Sequence, residues 1–501
     1  MGIRSVLVGF SAAERPDCFA DLNLDQVVHA VAGDDAVVAG YFHAGVRDVR
    51  DVEARQAVFR DLDDPAVAEP VRRFTATAAR TRRRLGMLRR MTHQPQAGWW
   101  FVDVVLDWSA AVVALSRGLD AAGSAGLRGL RADLAEWVGH GEFPAVRERA
   151  ADLLRRLGEV RYDLLLKQDR VTVAEHDPTS PGDFADRVLA TFARFRRDPA
   201  EPPQPPPDLG LDEVEAAVLD LVARLHPELF ADLAAFHDRH RDLPDLLPPD
   251  LDRLDAELRF HLAYLDHLAP LRAAGIPTCF PRVSATDKAF LARGAVDLAL
   301  AAQLVERGQP VVGNDLELSG AERVLVVSGP NQGGKTTLSR TFGQLYHLAA
   351  LGCPVPGHEV RLSLADRVFT HYPRAESSDS VASKLEEELV RMRDILDRAT
   401  PRSVVVLNEV FTSTTGDDAR ALSLTVLDAL TRLDVPCLWV SFLDELSRAG
   451  PTTVSMVSTL DDHGARTYRV VRKPADGYAD AVAVAEKHGL TRARILARVR
   501  R

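Results

Sequence analysis

Cysteine is scarce: four residues in 501, Cys18, Cys279, Cys353 and Cys437, with no paired spacing. That excludes a disulfide framework and a cysteine-based zinc site, and predicts small buried side chains in a reducing compartment. No apolar run approaches the roughly 18 residues that a membrane span needs, so no membrane partner is expected. The short apolar run of the opening "MGIRSVLVGFSAAER" reads as a first strand and not as a signal peptide. Net positive charge is also missing. At -10 overall, the chain has no global attraction to nucleic acid, and any such binding must use local basic surface.

What remains is ordinary globular composition, 46% hydrophobic and 27% charged, in a chain longer than one typical domain. Residues 1–198 read as a mainly helical region, with a short β-rich stretch at 160–176 in which "KQD" would turn between two strands. In "DVEARQAVFRDL" (51–62), Val52, Ala54, Val58, Phe59 and Leu62 fall near one face, with the charges opposite. Residues 79–91 carry six arginines, among them Arg82, Arg83, Arg84, Arg89 and Arg90. They read either as a solvated helix face or as phosphate contacts. The proline-rich stretch 199–210 is a linker, because proline cannot continue a helix. Helical pattern resumes over 211–273. From 274 to 501 strands and helices alternate, which predicts a mainly parallel α/β sheet.

The motif with the most chemistry is Gly329-Pro330-Asn331-Gln332-Gly333-Gly334-Lys335-Thr336, followed by Thr337. It lies between an apolar strand "VLVV" and a helical pattern. This is the G-x-x-x-x-G-K-[ST] phosphate loop. Its glycines let backbone N–H groups approach phosphate, Lys335 brings a point charge, and Thr336 offers a hard oxygen for Mg²⁺. ATP with Mg²⁺ is the expected cofactor. In "SVVVLNEVFTSTTGDD" (403–418), a buried strand ends at Asn408 and Glu409 beside that loop. Glu409 is placed to orient or deprotonate an attacking water. Asn408 stands where a carboxylate would serve the metal, so weaker Mg²⁺ binding and slow ATPase turnover are expected. In "SVASKLEEELVRMRDIL" (380–396), Leu385, Leu389, Met392 and Leu396 form a stripe, and Ser383 with Glu386 has capping-box spacing. A helix starting at Ser383 reads either as simply capped or as an anion site. Glu386, Glu387 and Glu388 would weaken such a site unless they point away.

Together these motifs resemble the ATPase domain of the MutS family of mismatch-repair proteins, an ABC-type ATPase. The resemblance runs from "VVGNDLEL" (311–318) through "SGPNQGGKTT", "LGCPVPGHEVRLSLADRVFTHY" (351–372), Ser383, "LNEVFTSTT" and "PADGYADAVAVAEKHGL" (474–490). A weaker likeness covers the helical part, which looks like the family's core and lever helices.

The resemblance implies a multidomain fold: a helical core and lever region, then an α/β ABC-type ATPase domain over 274–501. It implies a homodimer in which Ser383 is the signature serine that meets nucleotide in trans. Asp417 and Asp418 would cross between the two sites, and residues 478–495 would form the dimerisation element. Double-stranded DNA is the implied partner and the cytoplasm or nucleoid the implied location. Phe442 stands where the family has a switch histidine, and none of the 19 phenylalanines carries a Glu two residues on. The expectation is a short, divergent member without the mismatch reader, acting in mismatch repair or related repair and recombination as an ATP-gated clamp. Two other readings stand beside it: an ATPase acting on ribosomes or structured RNA, and a slow nucleotide switch without mismatch recognition. A transporter motor is disfavoured, because the Ser-Gly-Gly signature is absent.

Overall fold

A computed structural model describes residues 2–167, 170–176, 211, 213–241, 249–373, 384–461, 465–475, 490 and 492–499. Ser383, the 199–210 linker, the 168–169 turn and most of the expected dimerisation element therefore lie outside the described residues. The chain divides into two compact units, each discontinuous in sequence. The first comprises Met1–Ile3, Pro70–Gly118 and Arg131–Asp252; the second comprises Arg4–Glu69, Leu119–Leu130 and Arg253–Arg501.

Among the described residues, the first unit is mainly helical, apart from an antiparallel hairpin of β1 (Tyr162–Lys167) and β2 (Arg170–Glu175). Its central helix, Gln94–Gly118, is long and apolar enough to cross a membrane by length and composition, although Asp103 and Asp107 interrupt its apolar residues. Slightly more than half of its apolar window is buried by packing. Phe101 meets Phe236, and Trp108 meets Phe74. Its Asp103 and Asp107 both pair with Arg84.

The second unit holds the sheets, whose strands are numbered in chain order. β7 (Val324–Ser328) is entirely buried and lies between β12 (Cys437–Val440) and β13 (Thr453–Leu460). With β10 (Val368–His371), β11 (Val404–Asn408) and β14 (Arg466–Arg472), the order is β10-β11-β12-β7-β13-β14. All these pairings are parallel except β13 with β14. Continuous Val and Leu runs suit strands covered on both faces. A second sheet runs β4 (Arg282–Ser284), β9 (Glu359–Ser363), β5 (Phe290–Ala295), β6 (Asn314–Leu318). The short β3 (Thr278–Cys279) pairs antiparallel with β8 (Val355–Pro356).

The expected N-terminal strand is absent. Residues 2–17 form no strand, and their backbone groups bond carboxylates instead: Val6 N–H donates to Glu257 at 2.8 Å. Residues that follow bond the helix Lys335–Ala350 along one face. Asp21 O accepts from Arg340, Leu22 O from Gln344 at 2.8 Å, and Phe42 O from His347 at 2.8 Å. Gly343 lets Leu22 approach the helix backbone, a space that a Cβ would fill.

The helix Val49–Leu62 also departs from its sequence reading. Val52, Val58, Phe59 and Leu62 are buried as expected, but Arg55 is buried with them and not on the charged face. Its guanidinium donates to Val8 O at 2.9 Å and to Leu351 O, past the end of the helix Lys335–Ala350. Burial pushes its pKa down to about 10. A cation at a helix C-terminus is favoured by the helix dipole, which helps offset its desolvation.

Candidate functional site

The loop 329–334 leaves the end of β7 and opens the helix Lys335–Ala350, as the motif requires. Gly329 (φ 113°) and Gly334 (φ 92°) take backbone conformations that L side chains rarely adopt. Gln332 (φ 60°) is left-handed as well. Beneath the loop lies Ser458 of β13. A Cβ on Gly333 would stand 2.7 Å from its Oγ and 3.0 Å from Pro330 O, so glycine lets the loop seat closely on β13. Arg466 ties the outer edge, donating to Asn331 O at 2.8 Å. Sequence reasoning missed both Ser458 and Arg466, because neither belongs to the motif.

Lys335 is 4% exposed. Its Nζ donates to Gly329 O at 2.8 Å, Pro330 O at 3.1 Å and Asn331 Oδ1 at 3.3 Å, and lies 4.8 Å from the centre of the Phe442 ring. The ammonium is thus folded back onto its own loop. Phe442 itself is 52% exposed. Thr336 and Thr337 follow in the first turn of the helix.

One strand, β12, separates β11 from β7, yet the end of β11 reaches the loop. Thr336 Oγ1 donates to Asn408 Oδ1 at 3.3 Å. These are two hard oxygens of the kind that Mg²⁺ accepts directly or through water. Glu409 follows Asn408 in a left-handed conformation (φ 51°), which for a non-glycine residue costs roughly 1–2 kcal/mol. Its N–H donates to Val440 O at 2.9 Å. Phe411 is left-handed too (φ 60°), and its N–H donates to Glu388 Oε2 at 3.0 Å. Ser413 donates to the same oxygen at 3.3 Å.

Glu388 corrects the sequence reading of this helix. Its carboxylate reaches from the helix Lys384–Arg398 into the turn after Glu409. The buried face is therefore Glu388, Met392 and Ile395, flanked by Leu385 and Leu396, whereas Leu389 is 37% exposed. The stripe read from the sequence is rotated, because the turn's N–H and hydroxyl groups favour a carboxylate inside. The spacing 385, 388, 392, 395 is legible as helical periodicity once a Glu is admitted to it. His371, whose ring is bonded to Glu388 O, has its pKa pulled to about 4 by burial and by the charge of Arg391.

Asp417 and Asp418 lie exposed at the start of the helix Gly416–Leu433, where Thr415 caps the N–H of Asp418. The five arginines separate by role. Arg84 pairs with Asp103 and Asp107, and Arg82 pairs with Asp252 at 3.3 Å. Arg83, Arg89 and Arg90 are exposed.

Residues 325–490 match the family model of MutS domain V. The chain is similar to proteins described as DNA mismatch repair protein MutS. It is 27% identical over 291 residues to that of Shouchella clausii (strain KSM-K16), 56% of this chain and 32% of the relative. It is 33% identical over 243 residues to that of Erythrobacter litoralis (strain HTCC2594), 46% of this chain and 27% of the relative. With Chloroflexus aurantiacus (strain ATCC 29366 / DSM 635 / J-10-fl) it shares 31% identity over 220 residues, 42% of this chain and 22% of the relative. The matched stretch thus spans a third or less of the length of each of these relatives.

Proposed function

We propose that this chain, which belongs to the MutS family, binds ATP with Mg²⁺ on its 329–337 loop, hydrolyses it slowly, and acts as a nucleotide-gated dimer on double-stranded DNA. The observation that carries the reading is the convergence of Lys335, the Thr336–Asn408 pair and Glu409 at the ends of parallel strands. Open α/β sheets bind ligands at that edge. Thr336 and Asn408 would hold Mg²⁺ together with the phosphates, and the metal would supply charge neutralisation there. Glu409, next to Asn408 at the end of β11, would orient and deprotonate water. Asn408 contributes no negative charge, which supports slow turnover over fast.

The dimer reading is supported by exposed apolar side chains: Leu389 and Val390 on the helix Lys384–Arg398, Phe442 beside Lys335, and Ile495 and Leu496. Ser383 is proposed, from the resemblance alone, as the residue that meets the partner's nucleotide. The exposed Arg83, Arg89 and Arg90 are proposed as DNA contacts.

The test has three parts on the full chain. A fluorescent ATP analogue should bind the wild type and fail with Lys335→Ala. Single-turnover hydrolysis should be lost in Glu409→Gln with binding retained; equal rates would remove Glu409 as the base. Filter binding over homoduplex, mismatched and branched DNA, at stated salt with ATP and ADP, should show nucleotide-dependent affinity. No affinity at low salt in any state would remove the DNA role, and co-sedimentation with ribosomes would then favour the RNA-directed reading.

A further inference from the structure

The short helix Cys18–Asp21 belongs to no motif, yet Asp21 touches both the helix that follows the phosphate loop and the helix Lys384–Arg398. Its backbone O accepts from Arg340 Nε at 3.1 Å, on the helix that begins with Lys335 and Thr336. Its carboxylate Oδ2 accepts from Arg391 Nη2 at 2.6 Å and from Thr370 Oγ1 at 2.6 Å. Arg391 in turn donates to Thr370 O at 3.0 Å and Tyr372 O at 3.1 Å. The Arg391 and Asp21 side chains are only 20% and 15% exposed, so this ion pair is shielded and its geometry is set.

Arg391 lies one helical turn after Glu388, on the helix Lys384–Arg398. Glu388 holds the turn that carries Glu409, through Phe411 N–H and Ser413 Oγ. That turn contains two left-handed non-glycine residues, a conformation that persists only where its surroundings over-determine it. A line of direct contacts therefore runs from Asp21 through Arg391 and its helix to Glu388, and from Glu388 to the turn at Glu409.

We propose that Asp21 is a positioning residue for ATP hydrolysis: through Arg391 and Glu388 it sets the place of Glu409, while through Arg340 it is joined to the phosphate-loop helix. The N-terminal segment would then sense and set the catalytic geometry without touching nucleotide. This rests on the ATPase reading above. Removing the carboxylate leaves the Arg391 guanidinium without its anionic partner and frees the helix to shift. Misplacing a base by about 1 Å can lower turnover by up to about 100-fold, so a loss of roughly tenfold in kcat is expected for a partial shift. Nucleotide affinity, which depends on the loop and Lys335, should stay within about twofold.

The experiment compares wild type, Asp21→Ala, Arg391→Ala and the double variant in full-length protein. Single-turnover rates are measured with Mg-ATP, and Kd with a fluorescent ATP analogue. The expected result is a kcat loss in Asp21→Ala with Kd retained, and a double variant no slower than Arg391→Ala alone, because the two act through each other. Wild-type turnover in Asp21→Ala, or losses that multiply in the double variant, would overturn the proposal. If Asp21→Ala does not fold, Asp21→Asn, which keeps the shape and removes the charge, carries the same comparison. A wild type that binds nucleotide but hydrolyses no Mg-ATP above background would instead overturn the underlying ATPase reading.

Discussion

The ammonium of Lys335 lies 4.8 Å from the ring centre of Phe442 while bonded to three oxygens of its own loop. An ammonium over an aromatic face is stabilised by about 0.5–1 kcal/mol when partly exposed. To meet phosphate, Lys335 must leave these partners. Phe442→Ala is therefore expected to tighten ATP binding by about two- to fivefold, as measured by titration of a fluorescent analogue. Unchanged or weaker binding would show that the ring does not hold Lys335 back.

Asn408 is 5% exposed and accepts from Thr336. Asn408→Asp places a carboxylate there. In the absence of Mg²⁺ the buried charge should destabilise the chain by about 1–3 kcal/mol. Mg-ATP should restore the loss, and turnover at limiting Mg²⁺ should rise. Thermal melts with and without Mg-ATP, and a Mg²⁺ titration of the rate, check both halves. A variant whose Mg²⁺ dependence matches wild type would exclude position 408 from the metal site.

Three buried histidines make stability depend on pH. Burial holds His261, His347 and His371 near pKa 4 in the folded chain, against about 6.5 when unfolded. Between those values the unfolded chain binds protons that the folded chain refuses. Stability should be full above pH 6.5 and fall as pH drops through 6.5 toward 4. Urea midpoints at pH 7.5, 6.0 and 5.0 measure it. His347→Asn should reduce proton uptake on unfolding at pH 5.5 by about one. Midpoints that stay level between pH 7.5 and 5.0 would contradict this assignment.

The arginines of 79–91 should separate by assay. Replacing Arg83, Arg89 or Arg90 by Ala should lower the slope of log affinity for duplex DNA against log salt by about 0.9 for each phosphate no longer neutralised. Arg84→Ala should lower the melting temperature, because Asp103 and Asp107 lose their common partner, and leave that slope unchanged. The reverse pattern would identify Arg84 as the DNA-binding residue.

Much of the site is legible in the sequence because its chemistry is local. Gly329 to Thr337 are consecutive, and β7 and β11 are continuous apolar runs that only buried strands explain. The helix Lys384–Arg398 is legible as a helix, but its orientation is not. Charge assigns Glu388 to the polar side, although two donors in the turn after Glu409 draw it inward. Arg55 misleads for the same reason: a charge counts as exposed until carbonyl acceptors are known to wait inside.

What the phosphate loop can bind follows from neighbouring residues of the chain. Glycine conformations, the Lys335 charge and the Thr336 hydroxyl are properties of adjacent residues, and they need only a strand before them and a helix after. The loop's surroundings come from residues that folding brings together from far apart: Asn408 against Thr336, Phe442 over Lys335, and Ser458 beneath Gly333, with Asp21 paired to Arg391 beyond them. Asp21 and Arg391 stand 370 positions apart, and nothing in either residue type specifies the other. Such a pair exists because packing brings the two together and excludes most of the water that would otherwise satisfy each one separately.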